Sequence, residues 1–301
     1  MATQICDSRA KRAGIVRVVK TPKRIQPLVE EGLIDEVMRQ LMSGKEATVY
    51  VVRCGDDIRC AKVYKEAEKR SFHQAVAYQE GRRVKNSRQA RAMEKGTRYG
   101  RKMAEETWQN AEVAALYRLA DAGVRVPKPY ICFEGVLLME LVTGADGNAA
   151  PRLNDVELTP ELAHRYHAAL LKQVVLMLCA GLIHGDLSEY NILVDAEGPV
   201  IIDLPQAIDA AGSSVAASML DRDVTNLANF FAAVVPELAT TQYGKEIWLL
   251  YEAGLLTPET PLTGYVAPPD APADVAAVMR EIALAREEEA ERVTYQMSVD
   301  G

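Results

Sequence analysis

Residues 182–203, LIHGDLSEYNILVDAEGPVIID, constrain the chain more than any other segment. Asp186 and Asn191 stand five apart on one loop, an apolar strand follows, and twelve residues beyond Asn191 the next apolar strand ends on Asp203. Ile192–Asp195 and Val200–Asp203, joined through Glu197-Gly198, predict a β-hairpin. An acid, an amide on the same loop, and an acid at the exit of a hairpin suit phosphoryl transfer. Asp186 can accept or orient the proton of an attacking hydroxyl. Asn191 and Asp203 can offer oxygen ligands to Mg²⁺, with Mn²⁺ as an alternative ion. A buried polar turn with capping residues is the plainer reading, but it does not explain why the His184-Gly185 lead-in, the hairpin and Ile-Ile-Asp occur together.

Upstream the pattern alternates. Thr48–Val52 and Ile58–Tyr64 predict strands around the turn Gly55-Asp56-Asp57, preceded by the loop Ser43–Ala47. Cys60, Lys62 and Tyr64 then share one face. A helix from Glu105 carries the stripe Trp108, Ala111, Ala115, Leu116 and Leu119, and Glu112 falls within it. A carboxylate on a buried helix face needs a partner, and Lys62 is a candidate. The alternative is a lysine that snorkels at a strand edge while Glu112 pairs with an arginine. Ser43-Gly44-Lys45 matches no standard phosphate-binding fingerprint, yet a glycine, a hydroxyl and an ammonium can serve a phosphate.

Elsewhere, Leu28, Leu33, Val37 and Leu41 predict a helix over 26–42, with Gly32 as a weak point. Val136–Val142 predicts a buried strand, and Thr143–Gly147 a crossing to the second half. Thr159-Pro160 opens a helix that runs to about Ala180 before Gly181. Leu220–Val235 and Asp274–Val293 predict further helices. His164 and His167 have the spacing of a helix face and lack the framework of a zinc site.

Composition bounds the function. At 301 residues, 49% hydrophobic and 26% charged, the chain can bury a core and is neither disordered nor fibrous. The longest uncharged apolar run, Val174–Ile183, is far short of the roughly 20 residues of a membrane helix. Five cysteines without a C-x-x-C pair fit reduced thiols in the cytoplasm. The net charge of -7 is uneven: Met1–Arg24 holds seven Lys/Arg against one Asp, Lys69–Lys102 eleven against two Glu, and Asp270–Gly301 three against eight acids. Two basic stretches in an acidic chain point modestly to RNA or a ribonucleoprotein particle, against the plainer reading of solvated faces.

The motifs SGKEATVY (43–50), CAKVYK (60–65), HGDLSEYNILV (184–194), IIDLPQAID (201–209) and DRDVTNLANFF (221–231), in this order, resemble the RIO family of atypical serine/threonine protein kinases. The resemblance runs from about Ile34 to Tyr251. It implies a two-lobed α+β kinase-like fold without an activation loop, and transfer of the γ-phosphoryl of ATP to a Ser/Thr hydroxyl, the chain's own included. It further implies Asp186 as catalytic aspartate, Asn191 and Asp203 as metal ligands, and Lys62 paired with Glu112 and touching phosphates. Ser43, Gly44 and Lys45 would cover the phosphates. Met139, Glu140 and Leu141 would form the hinge at adenine, with Val49 and Cys60 above the base and Leu193 and Ile202 below it. Asp223 would brace the catalytic loop.

The domains expected are a basic extension (1–33), a small lobe (34–141) with a basic insertion at about 66–100, a large lobe (142–265) and an acidic tail (266–301). The short stretch before Ile34 suggests the family's short-N-terminus type, bacterial in character, and family members commonly act near the small ribosomal subunit. Leu204-Pro205 stands where an ordinary kinase has Phe-Gly, and Ser188 where many have lysine. Two other functions share the motif. Small-molecule kinases of the aminoglycoside or choline type carry H-G-D-x-x-x-x-N, and an ATP-gated assembly factor would hydrolyse ATP without a protein substrate.

Overall fold

The structure, a computed structural model, describes residues 21–44, 46–65 and 111–267. Lys45, Trp108, the basic insertion at 66–100, residues 1–20 and the helix expected at 274–293 lie outside the described residues. The chain divides into units Met1–Gly264 and Tyr265–Gly301, and every element below belongs to the first.

Helix α1 (Gln26–Glu30) is short: Gly32, at φ 68°, turns the chain into the left-handed region, and the Leu28 carbonyl accepts from Leu33 and Ile34. The helix expected over 26–42 is therefore wrong beyond residue 30. Strand β1 (Glu36–Ser43) instead pairs antiparallel with β2 (Ala47–Cys54). Register shifts between Val37 and Arg39 and between Gln40 and Met42 break the alternation of faces. A bulged strand loses its period of two, and here the residue spacing mimics a helix. The Ser43–Ala47 loop consequently joins two strands.

Strand β3 (Asp57–Tyr64) completes the hairpin with β2. The next described element, α2, is helical from 111 to 121. Strands β4 (Pro129–Phe133) and β5 (Val136–Glu140) close an antiparallel sheet of order β1-β2-β3-β5-β4. Its outer face carries Val52, Ala61, Val63, Val136 and Leu138 against Ile25, Leu28 and Ile34. Its inner face carries Val49, Lys62 and Leu137 in direct register, then Val51, Cys60 and Met139 one step along.

The second half is mainly helical. Helix α3 (Pro160–Cys179) is capped by Thr159, whose hydroxyl accepts from the Leu162 N–H at 3.3 Å, and it buries residues on most sides, as a central helix does. Around it lie β6 (Leu182–Ile183), the hairpin β7 (Ile192–Val194) and β8 (Pro199–Ile201), β9 (Ile208–Asp209), α4 (Ala216–Ala232) and α5 (Tyr243–Glu252). Strand β9 pairs with β6, so the chain from Asp203 reaches α4 through residues 204–215 alone. This is a two-lobed, kinase-like α+β fold. No helix among the described residues is long and apolar enough to cross a membrane.

The two α3 histidines have separate environments. His164 is exposed, 3.5 Å from Glu237. His167 is buried between the rings of Phe231 and Tyr243. Burial, with a smaller contribution from His164, lowers the His167 pKa from 6.5 to about 4. The unfolded chain thus binds a proton between pH 6.5 and 4 that the folded chain refuses, so stability falls as pH drops through that window. His167→Phe is expected to remove up to about 3 kcal/mol of this acid dependence, read as a flatter urea-midpoint profile between pH 4 and 7.

Candidate active site

The loop 184–191 exposes one carboxylate on a buried frame. Asp186 is exposed, while His184, Gly185 and Leu187 beside it are buried. The frame is built by Asp223 of α4, 1% exposed, which accepts from the Gly185 N–H at 2.7 Å and the Leu187 N–H at 3.1 Å. Burial raises the Asp223 pKa, against the lowering effect of His184 and the two amides. Arg222 donates to the Gly185 carbonyl and Asn226 to that of Leu187. His184 Nδ1 accepts from the Asp186 N–H at 3.3 Å and Nε2 lies 3.1 Å from the Ile202 carbonyl, a pattern that places the ring proton on Nε2. Asn191 Nδ2 donates to the Asp186 carbonyl at 2.9 Å, which leaves the amide oxygen for another partner.

Lys62 is the centre of a second group. Its Nζ lies 2.5 Å from Glu112 Oε1 and 2.9 Å from Asp203 Oδ1. The lysine and Glu112 side chains are 12% and 4% exposed, while Asp203 keeps 46% of its surface open. Burial alone would depress the lysine, but the two carboxylates outweigh it and raise its pKa. Burial would raise Asp203, yet Lys62, followed by His184 and Arg152, brings it below the ordinary carboxylate range. Asp203 has φ 67°, a left-handed conformation uncommon outside glycine. Ile202 is tied to the catalytic loop through its N–H on the Asn191 carbonyl at 2.9 Å. The structure thus brings Lys62, Glu112 and Asp203 into contact and ties the loop that carries Asp186 and Asn191 to the Asp203 segment, four stretches of chain in all.

The remaining expected residues fall on several elements. Val49, Cys60 and Met139 share the inner face of the sheet, and burial pushes the Cys60 thiol up to about 12. Leu193 and Ile202 flank the hairpin below, and Leu193 packs with Val142, Ala150 and Val200. Leu141 follows β5 directly. The Glu140 carboxylate is exposed and accepts from the Lys128 N–H at 3.0 Å, so its side chain serves the sheet edge. Ser43 and Gly44 sit at the β1–β2 turn. The sequence motifs gave no role to Lys65, which holds that turn: its Nζ lies 3.0 Å from Ser43 Oγ and 2.5 Å from the Gly44 carbonyl.

Among the described residues, no group of three or more His, Cys, Asp or Glu side chains could hold a metal ion. Asn191 and Asp203 still fit a divalent cation that takes one or two protein oxygens and completes its shell with phosphate and water, as Mg²⁺ does.

A five-stranded antiparallel sheet over a helical lobe, with a strand lysine held between a helix glutamate and a cleft aspartate, defines a kinase-type phosphotransferase. The RIO domain family profile matches residues 48–243. The chain is 37% identical over 210 residues to the RIO-type serine/threonine-protein kinase Rio1 of Haloferax volcanii, covering 69% of this chain and 67% of that one. It is 33% identical over 191 residues to the protein of the same name from Methanocaldococcus jannaschii, covering 63% and 60%. It is 30% identical over 227 residues to human serine/threonine-protein kinase RIO1, spanning 74% of this chain but 38% of the human protein. The chain belongs to the RIO family of protein kinases.

Removing one member of a buried ion pair costs more than replacing both. Lys62→Met leaves Glu112 buried without its cation and is expected to destabilise by about 3 kcal/mol in urea unfolding. Adding Glu112→Leu should recover most of that loss without restoring phosphoryl transfer.

Proposed function

We propose that this chain transfers the γ-phosphoryl group of ATP to Ser/Thr hydroxyls of protein, its own included, in a cleft between a small lobe ending near residue 141 and a large lobe over 142–265. The observation that carries the reading is the position of Lys62, fixed to Glu112 and in contact with Asp203, whose segment is tied through Ile202 and Asn191 to the loop that exposes Asp186.

Each residue has a role in this scheme. Lys62, held by two carboxylates, presents its ammonium to the nucleotide phosphates. Asp186 takes the proton of the attacking hydroxyl as its oxygen bonds to the γ-phosphorus and the bond to the ADP oxygen breaks. Asp223 fixes the amides on both sides of Asp186, so the carboxylate is aimed without being tied. Asn191 and Asp203 would hold Mg²⁺ or Mn²⁺, which neutralises charge on the phosphates. Val49, Cys60 and Met139 offer an apolar ceiling for a base, with Leu193 and Ile202 below. The basic stretches 1–24 and 69–102 support an RNA or small-subunit ribosomal partner, and the absence of disulfide-type cysteine spacing supports a cytoplasmic setting.

Purified protein incubated with γ-labelled ATP and Mg²⁺ tests the reading. Wild type is expected to label Ser or Thr. Asp186→Ala should lose about 10²–10⁴-fold in transfer, the range of a general base, while still binding ATP. Wild-type labelling by Asp186→Ala would remove the assigned base. Released phosphate with no label on Ser or Thr would favour the assembly-factor function. Asp203→Ala is expected to lose metal-dependent nucleotide binding as well, seen by calorimetric titration with and without Mg²⁺.

A further inference from the structure

Arg152 belongs to none of the sequence motifs, yet it reaches the cleft. It lies between β5 and α3, directly before the 3-10 turn Leu153–Asp155. Its backbone forms a β-bridge with Leu193, and the Val194 N–H donates to the Pro151 carbonyl at 2.9 Å. Arg152 is therefore anchored to the floor strand β7. Its side chain crosses to the other lobe, where Nη2 lies 3.7 Å from Met42 Sδ, just before the Ser43-Gly44 turn. Its charge also acts on the Asp203 carboxylate. The backbone of Arg152 is thus fixed to the floor strand while its guanidinium meets the end of β1 and its charge is felt at Asp203.

The arginine is poorly matched for such a place. A guanidinium is a fork of N–H donors, and a thioether is a weak acceptor. Among the described residues, the Met42 sulfur is the only hydrogen-bond partner of the Arg152 side chain, and no carboxylate forms an ion pair with it. Neighbouring arginines differ. Arg125 is held by Asp195 at 2.7 Å and Glu197 at 3.3 Å, and Arg118 by Asp209 at 2.9 Å. Lys62, the cation on the sheet, is already neutralised by two carboxylates. Arg152, by contrast, has no carboxylate partner among the described residues, and its planar fork suits phosphate oxygens.

We propose that Arg152 is a second cationic contact for the nucleotide phosphates, reaching them from the large lobe while Lys62 reaches them from the sheet. This rests on the nucleotide site proposed above. It adds a phosphate-binding residue that the family motifs do not supply.

Calorimetric titration of the whole chain with Mg-ATP and with adenosine separates the possibilities. Arg152→Met keeps an apolar stem against Met42 and removes the charge. It is expected to weaken Mg-ATP about tenfold and leave adenosine within twofold, and Arg152→Glu should weaken Mg-ATP further. Unchanged Mg-ATP affinity in both variants overturns the proposal. An equal loss for Mg-ATP and adenosine also overturns it, since that is the signature of packing. If the wild type binds adenosine and Mg-ATP and Lys62→Ala weakens Mg-ATP, the nucleotide site stands whatever Arg152 does. If the wild type binds neither ligand, the site is wrong and the role of Arg152 falls with it.

Discussion

The contacts of the Lys62 ammonium with Glu112 and Asp203 are the constraint around which the rest is arranged. An ammonium and a carboxylate withdrawn from water cost several kcal/mol each, and their attraction returns this only when the geometry holds. Three elements must meet for that. The β2–β3–β5 register aims Lys62 inward, α2 must present Glu112 on its buried stripe, and the chain after β8 must bring Asp203 back across the cleft. Shifting any of them strands a charge. Burial around Lys62 therefore fixes α2 and the segment after the hairpin relative to the sheet, and this is how a stability requirement also orders a site.

The catalytic loop meets the opposite requirement, an acid that is accessible and still positioned. Here the solution uses backbone. Asp223 takes the N–H groups on either side of Asp186, and Asn191 closes the loop on the Asp186 carbonyl. None of these contacts involves the Asp186 carboxylate. Gly185 makes the arrangement possible: its φ is 81°, and a Cβ there would stand 2.6 Å from both the Gln206 carbonyl oxygen and the Met219 methyl. Any other residue would push the loop off the Gln206 carbonyl, ahead of β9, and off α4.

Much of this was legible in the sequence, for identifiable reasons. The β7–β8 hairpin, the β2–β3 hairpin and α3 each combine a clean period with proper turn or cap residues, so local and tertiary preferences agree. The partnership of Lys62 with Glu112 could be anticipated because a carboxylate in an apolar stripe demands a cation. Strand β1 was illegible because its two bulges erase the alternation that marks a strand. The β6–β9 pairing was illegible because two residues a side carry no pattern. Lys65 and Arg152 escaped for another reason. Each acts across elements far apart in sequence, on a carbonyl, a hydroxyl or a sulfur, and no local spacing encodes such a contact.

The charge balance of the cleft gives the site its direction. Asp186 and Asp203 are open to solvent, Glu112 is buried on Lys62, and one ammonium is shared by two of these three carboxylates. Even with the Arg152 guanidinium counted beside Lys62, these three carboxylates leave a net negative charge for a bare triphosphate to meet, and the penalty grows as water is excluded. A divalent metal held by Asp203 and Asn191, as proposed above, would reverse that sign. The two carboxylates that would repel free nucleotide would then attract its metal complex. In the proposed site the open carboxylates would thus discriminate against metal-free ATP, and neutralising either would weaken that discrimination.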